Sequence, residues 1–195
     1  MKSIVIASDN LNKIKEYQDK LIDIMLIPYK NLVDIEIIES GNTFKENALI
    51  KAKTVALATN KISIGDDSGI IVNALPNELG VFSKRFSKAK TTSSNNQLLL
   101  EKLKDKTNRS AQFITVICLY IPGEKPRFYQ GKLSGEILDK PRGNNGFGYD
   151  PLFYLKTKNK TLAELSLSEK NKLSHRAKAI DKLKKDLENE DIDIF

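Results

Sequence analysis

Cysteine occurs once in this chain, at Cys118, which leaves no disulfide framework and no cysteine-built zinc site. Such usage suits a reducing, cytoplasmic setting. Nowhere do apolar residues run to the roughly 18 that a membrane span needs. Residues 1–7 pass from Lys2 through a short apolar run into polar sequence, which is not the pattern of a secretory leader. Internal repeats are also missing. What is there is 195 residues, 40% hydrophobic and 29% charged, the profile of a folded soluble protein rather than a disordered one. That length suits one domain spanning 1–195, or one domain with two lobes, and a substantial core.

The formal net charge of +7 favours anionic partners such as nucleotides, nucleic acid or phosphate-rich metabolites. Much of the excess is lysine spread over many segments, including Lys102, Lys104, Lys106, Lys156, Lys158, Lys160, Lys182, Lys184 and Lys185. Lysine dispersed in this way equally describes a solvated surface, so charge alone does not choose a partner.

The most informative stretch is Ser63-Ile64-Gly65-Asp66-Asp67-Ser68-Gly69-Ile70-Ile71-Val72. Two adjacent carboxylates lie between apolar runs that read as buried strands. Acids so placed must be paired, hydrated or metal-bound. Gly65 and Gly69 allow a sharp bend and a close ligand approach. The alternative is a polar hairpin turn, since Asp, Ser and Gly are ordinary turn residues.

Along the chain, residues 3–7 read as a short buried strand that runs into Ser8-Asp9-Asn10-Leu11-Asn12-Lys13 and then a helix with Ile14, Tyr17 and Leu21 at helical spacing. A strand, a polar loop and a helix N-terminus form an anion site through free backbone N–H groups. Lys13 in the first turn opposes the helix dipole unless it has another task; the alternative is that Ser8, Asp9 or Asn10 merely caps the helix. Residues 35–39 alternate as a second strand ending at Glu39. Thr43-Phe44-Lys45-Glu46 then reads as a capping box, opening a helix to about Ala58 and placing Asn47 and Lys51 near its start. Glu46 is accounted for as the capping acid, although the same geometry can aim it at a cation.

Residues 76–80 read as a turn, 87–96 as a loop suited to covering a site, and 95–104 as a helix. The longest strand is expected at 110–121, apolar on both faces and therefore central, paired with 127–137 in a hairpin. The loop Gly146-Phe147-Gly148-Tyr149-Asp150 sets two aromatics among glycines, an arrangement that suits rings stacking on a base while the backbone closes on the ligand. Further on, Lys170 and Ser174-His175-Arg176 lead into a helix with Ala179, Ile180, Leu183 and Leu187 inward, and 187–195 form an acidic periphery. His175, the only histidine, is either a packed or capping residue or, with Arg176, a pair of donors to carbonyl oxygens.

In this order, Ser8–Lys13 with Glu16, Glu39 to Lys51, Asp66-Asp67-Ser68-Gly69, and Phe147-Gly148-Tyr149-Asp150-Pro151 followed by Ser174-His175-Arg176, the chain resembles the inosine triphosphate pyrophosphatase family. These are house-cleaning hydrolases of deaminated purine nucleoside triphosphates, and the resemblance spans nearly the whole sequence. It implies an α/β fold with a long central mixed sheet, flanking helices and two lobes forming a substrate cleft. It implies that Ser8, Asp9, Asn10, Leu11, Asn12 and Lys13 hold the triphosphate, with Lys51 facing phosphate and Ser68 touching substrate. Asp67 would be proton acceptor and Mg²⁺ ligand, and Glu39 the second metal-site acid, with Glu46 and Asp66 as possible neighbours. Phe147, Gly148, Tyr149 and Asp150 would form the base pocket, completed by Lys170, His175 and Arg176 reading the 6-oxo group. A homodimer is implied; nucleic acid and membrane partners are not. The chain departs from the family's glycines at Asp9 and Asn12, and lacks paired glycines at 76–80.

The chemistry is coherent on its own terms. A triphosphate carries about four negative charges, so attack at phosphorus needs cations and fixed donors. The rival enzymatic reading is a pyrophosphatase for pyrimidine or modified nucleotides. A basic RNA-binding module is the rival from another class, and it would need basic and aromatic residues gathered on one surface.

Overall fold

The computed structural model describes residues 2–189. Its strands are β1 Lys2–Ile6, β2 Ile24–Pro28, β3 Ser63–Val72, β4 Ser110–Tyr120, β5 Arg127–Ile137, β6 Phe153–Leu155 and β7 Lys160–Thr161. The helices are α1 Leu11–Gln18, α2 Phe44–Thr59, α3 Thr92–Leu103, α4 Leu167–Leu173 and α5 His175–Asn189. They build a mixed seven-stranded sheet, ordered β2-β1-β3-β4-β5-β6-β7, with flanking helices. β1 runs parallel to β2 and β3, whereas β6 runs antiparallel to β5 and β7. The α/β class with a long mixed sheet is therefore as expected. β4, read as central from its apolar faces, is the fourth strand, and β5 lies beside it. Among the described residues no helix is long and apolar enough to cross a membrane.

The chain divides into two compact units. One holds the residues up to Asp67, Thr115–Gly131 and the chain from His175; the other holds Ser68–Ile114 and Lys132–Ser174. The first unit packs α1 and α5 onto its strands through Ile4, Ile6, Tyr17, Ile117, Leu119, Ile180 and Leu183. Gly131 lets α5 begin hard against β5, since a Cβ there would lie 1.9 Å from the His175 carbonyl oxygen. Cys118, on β4, is buried in this unit. The second unit has its own core around Ile70, Leu99, Leu103, Phe113, Phe153 and Leu162, in which the Phe113 and Phe153 rings meet at 4.6 Å between centroids.

Several local expectations are corrected. Residues 35–39 are not a strand; the place beside β1 is taken by β2. The alternation at 33–37 is nevertheless real, because Val33, Ile35 and Ile37 pack on a small cluster of Val5, Ala7, Tyr29 and Val55 without a strand neighbour. Asp66 and Asp67 are not at a turn between two strands but inside one continuous strand, β3. Gly65 serves close packing there, since a Cβ would sit 2.4 Å from the Ala48 carbonyl oxygen of α2. The loop expected over 87–96 is half helix: Thr91 caps α3 by accepting from Ser94 N at 3.1 Å. The capping box of α2 forms as expected, with Glu46 Oε2 accepting from Asn42 N and Thr43 N at 2.7 and 3.1 Å. Leu187, expected inward, is buried, and the remainder of the acidic 187–195 periphery falls largely outside the described residues.

Candidate active site

In the first unit, β3 carries both acids inward. Asp66 is the more enclosed: Oδ1 accepts from Lys13 Nζ of α1, and Oδ2 accepts from Arg176 Nε of α5 at 2.9 Å and from Tyr17 Oη at 3.4 Å. Arg176 Nη1 donates to Glu16 Oε2 at 2.7 Å, and its side chain is 1% exposed. Burial by itself would raise the Asp66 pKa, but the guanidinium of Arg176 and the ammonium of Lys13 outweigh it and hold the carboxyl well below the usual range. The Lys13 ammonium is thus paired with Asp66. Burial lowers its pKa, with Asp66 opposing the shift.

Asp67 has a different environment. Its Oδ1 faces Lys51 Nζ at 3.3 Å and its Oδ2 accepts from Asn47 Nδ2 at 3.3 Å, both from α2. Lys51 also pairs with Glu39 Oε2 at 3.2 Å, so two carboxylates share one ammonium. Asn47 Oδ1 in turn accepts from Gly41 N at 2.8 Å, which fixes the segment after Glu39 against the helix. Burial raises the Asp67 pKa, and Lys51 only partly offsets that. Two neighbouring acids on one strand are therefore pushed in opposite directions, Asp66 towards a permanent anion and Asp67 towards a better proton acceptor.

In the first loop Asn10 is the N-cap, its Oδ1 accepting from Asn12 N and Lys13 N at 3.0 and 3.4 Å. Ser8 Oγ accepts from Asn10 N at 3.2 Å, and the Leu11 side chain stands in solvent, 79% exposed. The two departures from glycine are accommodated simply. Asn12 lies within α1 and needs no glycine freedom, and Asp9 turns to Lys30, with Oδ2 3.2 Å from its Nζ.

In the second unit the glycine loop closes on itself. Asp150 Oδ2 accepts from Phe147 N at 2.9 Å and from Lys170 Nζ at 2.8 Å, and that ammonium lies 4.6 Å from the centre of the Phe147 ring. Gly146, at φ +77°, leaves the room Asp150 needs, since a Cβ there would stand 2.1 Å from Oδ2. Of the two rings expected to be presented to a base, Phe147 is half-buried. Tyr149 is a core residue whose hydroxyl donates to Ser83 O at 2.7 Å, and burial raises its pKa. Ser68 is half-buried at the start of this unit. His175 is buried at the first turn of α5, in the first unit with Arg176.

Tyr17 escaped the sequence reading because its ring looked like one more apolar position of α1, and Glu16 had no role beyond its place in a motif. A buried acid among core positions on a short helix was the available signal. Ser83, Asn95 and Asn96 of the second unit carried none, being polar residues in polar stretches.

Residues 4–186 match the Ham1 family. A dITP/XTP pyrophosphatase of Bacillus licheniformis is 44% identical over 190 residues, covering 94% of this chain and 96% of that protein. The solved Ham1 protein of Staphylococcus aureus superposes with a TM-score of 0.89 at 43% identity, covering 96% of this chain and 99% of its own. A HAM1 protein from Coxiella burnetii gives 0.89 at 42% identity, with coverage of 97% and 100%.

Proposed function

The chain belongs to the Ham1 family, and from that premise we propose that it hydrolyses the deaminated purine nucleoside triphosphates ITP, dITP and XTP to the monophosphate and pyrophosphate. It would thereby clear them from the nucleotide pool before they enter DNA or RNA. The observation that carries the proposal is Asp67, a buried strand carboxylate with raised proton affinity, held by Lys51 and Asn47 one residue from the Asp66–Lys13 pair. An acid acceptor flanked by lysines suits water attack on a polyanion. In the proposed step a water oxygen attacks the α-phosphorus and its proton passes to Asp67. The bond from the α-phosphorus to the α,β-bridging oxygen breaks, and pyrophosphate leaves. The loop from Ser8 to Lys13 binds the phosphates, Lys13 and Lys51 neutralise them, and Ser68 touches substrate.

Glu39 and Asp67 are the residues that would hold Mg²⁺. Their oxygens are the hard donors that ion takes, and Glu39, with 41% of its side chain exposed, keeps water within reach. Among the described residues no three His, Cys, Asp or Glu side chains gather into a cage. When bound, Mg²⁺ supplies charge neutralisation at the phosphoryl oxygens. Glu46 serves the α2 cap and Asp66 serves Lys13 and Arg176, so neither is proposed as a ligand.

For the base, Phe147, Gly148, Asp150 and Lys170 are proposed as the pocket, with Tyr149 anchoring their loop through Ser83 rather than meeting the base, and His175 with Arg176 as readers of the 6-oxo group. Facing donors would reject the adenine amino group, and each buried polar group left unpaired costs about 1–3 kcal/mol. Arg176 is also tied to Asp66 and Glu16, so His175→Ala is the cleaner variant and should lose ITP activity far more than ATP activity. The proposal includes a homodimer and a cytoplasmic setting, with no nucleic acid or membrane partner. The deciding assay is a nucleotide panel read for pyrophosphate against orthophosphate; a diphosphate plus orthophosphate as first products would refute the assignment.

A further inference from the structure

Gly148 lies between the two rings of the glycine loop in the left-handed region, at φ +63°. Its carbonyl oxygen accepts from Asn96 Nδ2 of α3 at 3.1 Å, across 52 residues of sequence. A carbonyl cannot donate, so this contact decides which way the Asn96 amide faces. The Asn96 Oδ1 is then buried with no hydrogen-bond donor among the described residues. A leucine of similar shape would avoid that unmet acceptor, so the amide works against stability unless the contact with Gly148 has a use. The neighbouring residues extend the tether. Tyr149 Oη donates to Ser83 O at 2.7 Å, Asn95 Nδ2 donates to Lys84 O at 3.0 Å, and Asn95 Oδ1 accepts from Ser87 N at 2.8 Å. Two consecutive asparagines of α3 thus hold the glycine loop and the segment before the helix.

We propose that Asn96 is a positioning residue for base specificity. Through the Gly148 carbonyl it fixes the loop so that the Phe147 ring and the Asp150–Lys170 pair meet the purine as one stiff surface. This rests on the reading of that loop as the base pocket. Glycine has the widest backbone freedom of any residue, so an untethered Gly148 lets Phe147 swing away from Lys170. A loose loop weakens ligands that use it and leaves unaffected a ligand that is phosphate alone.

The test uses the full chain and compares Asn96→Leu, Asn96→Asp and Tyr149→Phe with Phe147→Ala as reference. It measures kcat and KM for ITP and ATP and the inhibition constant of inorganic tripolyphosphate. Asn96→Leu should raise the ITP KM about tenfold with little change in kcat and narrow the ITP/ATP ratio of kcat/KM to a similar degree. Tripolyphosphate inhibition should stay at the wild-type value. Tyr149→Phe deletes the second tether without disturbing ring packing, and should move the ratio in the same direction if the Asn96 variants do not fold. A ratio that stays put in the Asn96 and Tyr149 variants while Phe147→Ala collapses it overturns the proposal and leaves the base pocket standing. A tripolyphosphate constant that weakens in step with the ITP KM also overturns it, since the amide would then support the fold at large. If Phe147→Ala itself leaves the ratio unchanged, the loop does not read the base and the proposal falls with that reading.

Discussion

Two buried acids, Asp66 and Asp150, sit in similar company and reach it by opposite routes. Asp66 takes its cations from 53 and 110 residues away, Lys13 on α1 and Arg176 on α5. Asp150 takes its partners from 3 and 20 residues away, the Phe147 amide and Lys170. The first therefore exists only once the whole unit is assembled. The second is largely a property of a short segment and its glycines.

The largest effect should come from breaking the long-range network. Arg176→Met leaves Asp66 and Glu16 buried without their shared cation, a loss of about 3–5 kcal/mol by urea unfolding. A loss near zero would mean that the network contributes no stability and that the contrast with Asp150 is only geometric. Next, Asp67→Asn should lower kcat on the order of 100-fold or more while the protein stays folded. Near-normal turnover would leave Asp67 a structural strand residue. On the local side, Gly146→Ala places a Cβ against Asp150 Oδ2 at a φ that side chains disfavour, and should cost about 1–3 kcal/mol. Thermal melts that match the wild type would show that the loop bends without help from glycine.

A smaller effect concerns acid stability. The folded pKa of Asp66 lies below its unfolded value of about 3.9. Its ionisation therefore contributes stability that is complete above that value and lost as the pH falls through it towards the folded pKa. Asp66→Asn should flatten this part of the curve of stability against pH, and an unchanged slope would assign acid unfolding to other carboxylates. The smallest effect belongs to Asp9→Gly. The Asp9–Lys30 pair is open to solvent, so denaturant titrations should show no measurable change in stability. A measurable change would make the first loop part of the buried network.

The same contrast explains what was legible beforehand. The capping box at Thr43–Glu46, the apolar run of β4 and the glycine loop are short-range patterns, and each could be read directly. The pairing of Asp66 with Lys13 and Arg176 was not, because nothing local records which cation will arrive from a distant helix. The strand expected at 35–39 failed for a related reason: its alternation reported a packed face correctly, but the neighbour that makes a strand is a non-local fact. Tyr149 shows the converse limit. A ring between glycines suggests presentation to a ligand, yet here the ring fills a core and only its hydroxyl is used, on Ser83.

Cys118, enclosed in β4, has one practical consequence. Burial pushes its thiol up to about 12, so almost no thiolate exists at neutral pH and no alkylating reagent can reach it while the strand is in place. As the single thiol of the chain, it turns covalent labelling into a clock for the opening of the central sheet. Under native conditions the labelling rate reports how often β4 is uncovered, and a ligand that tightens the surrounding unit slows that clock in proportion to its binding.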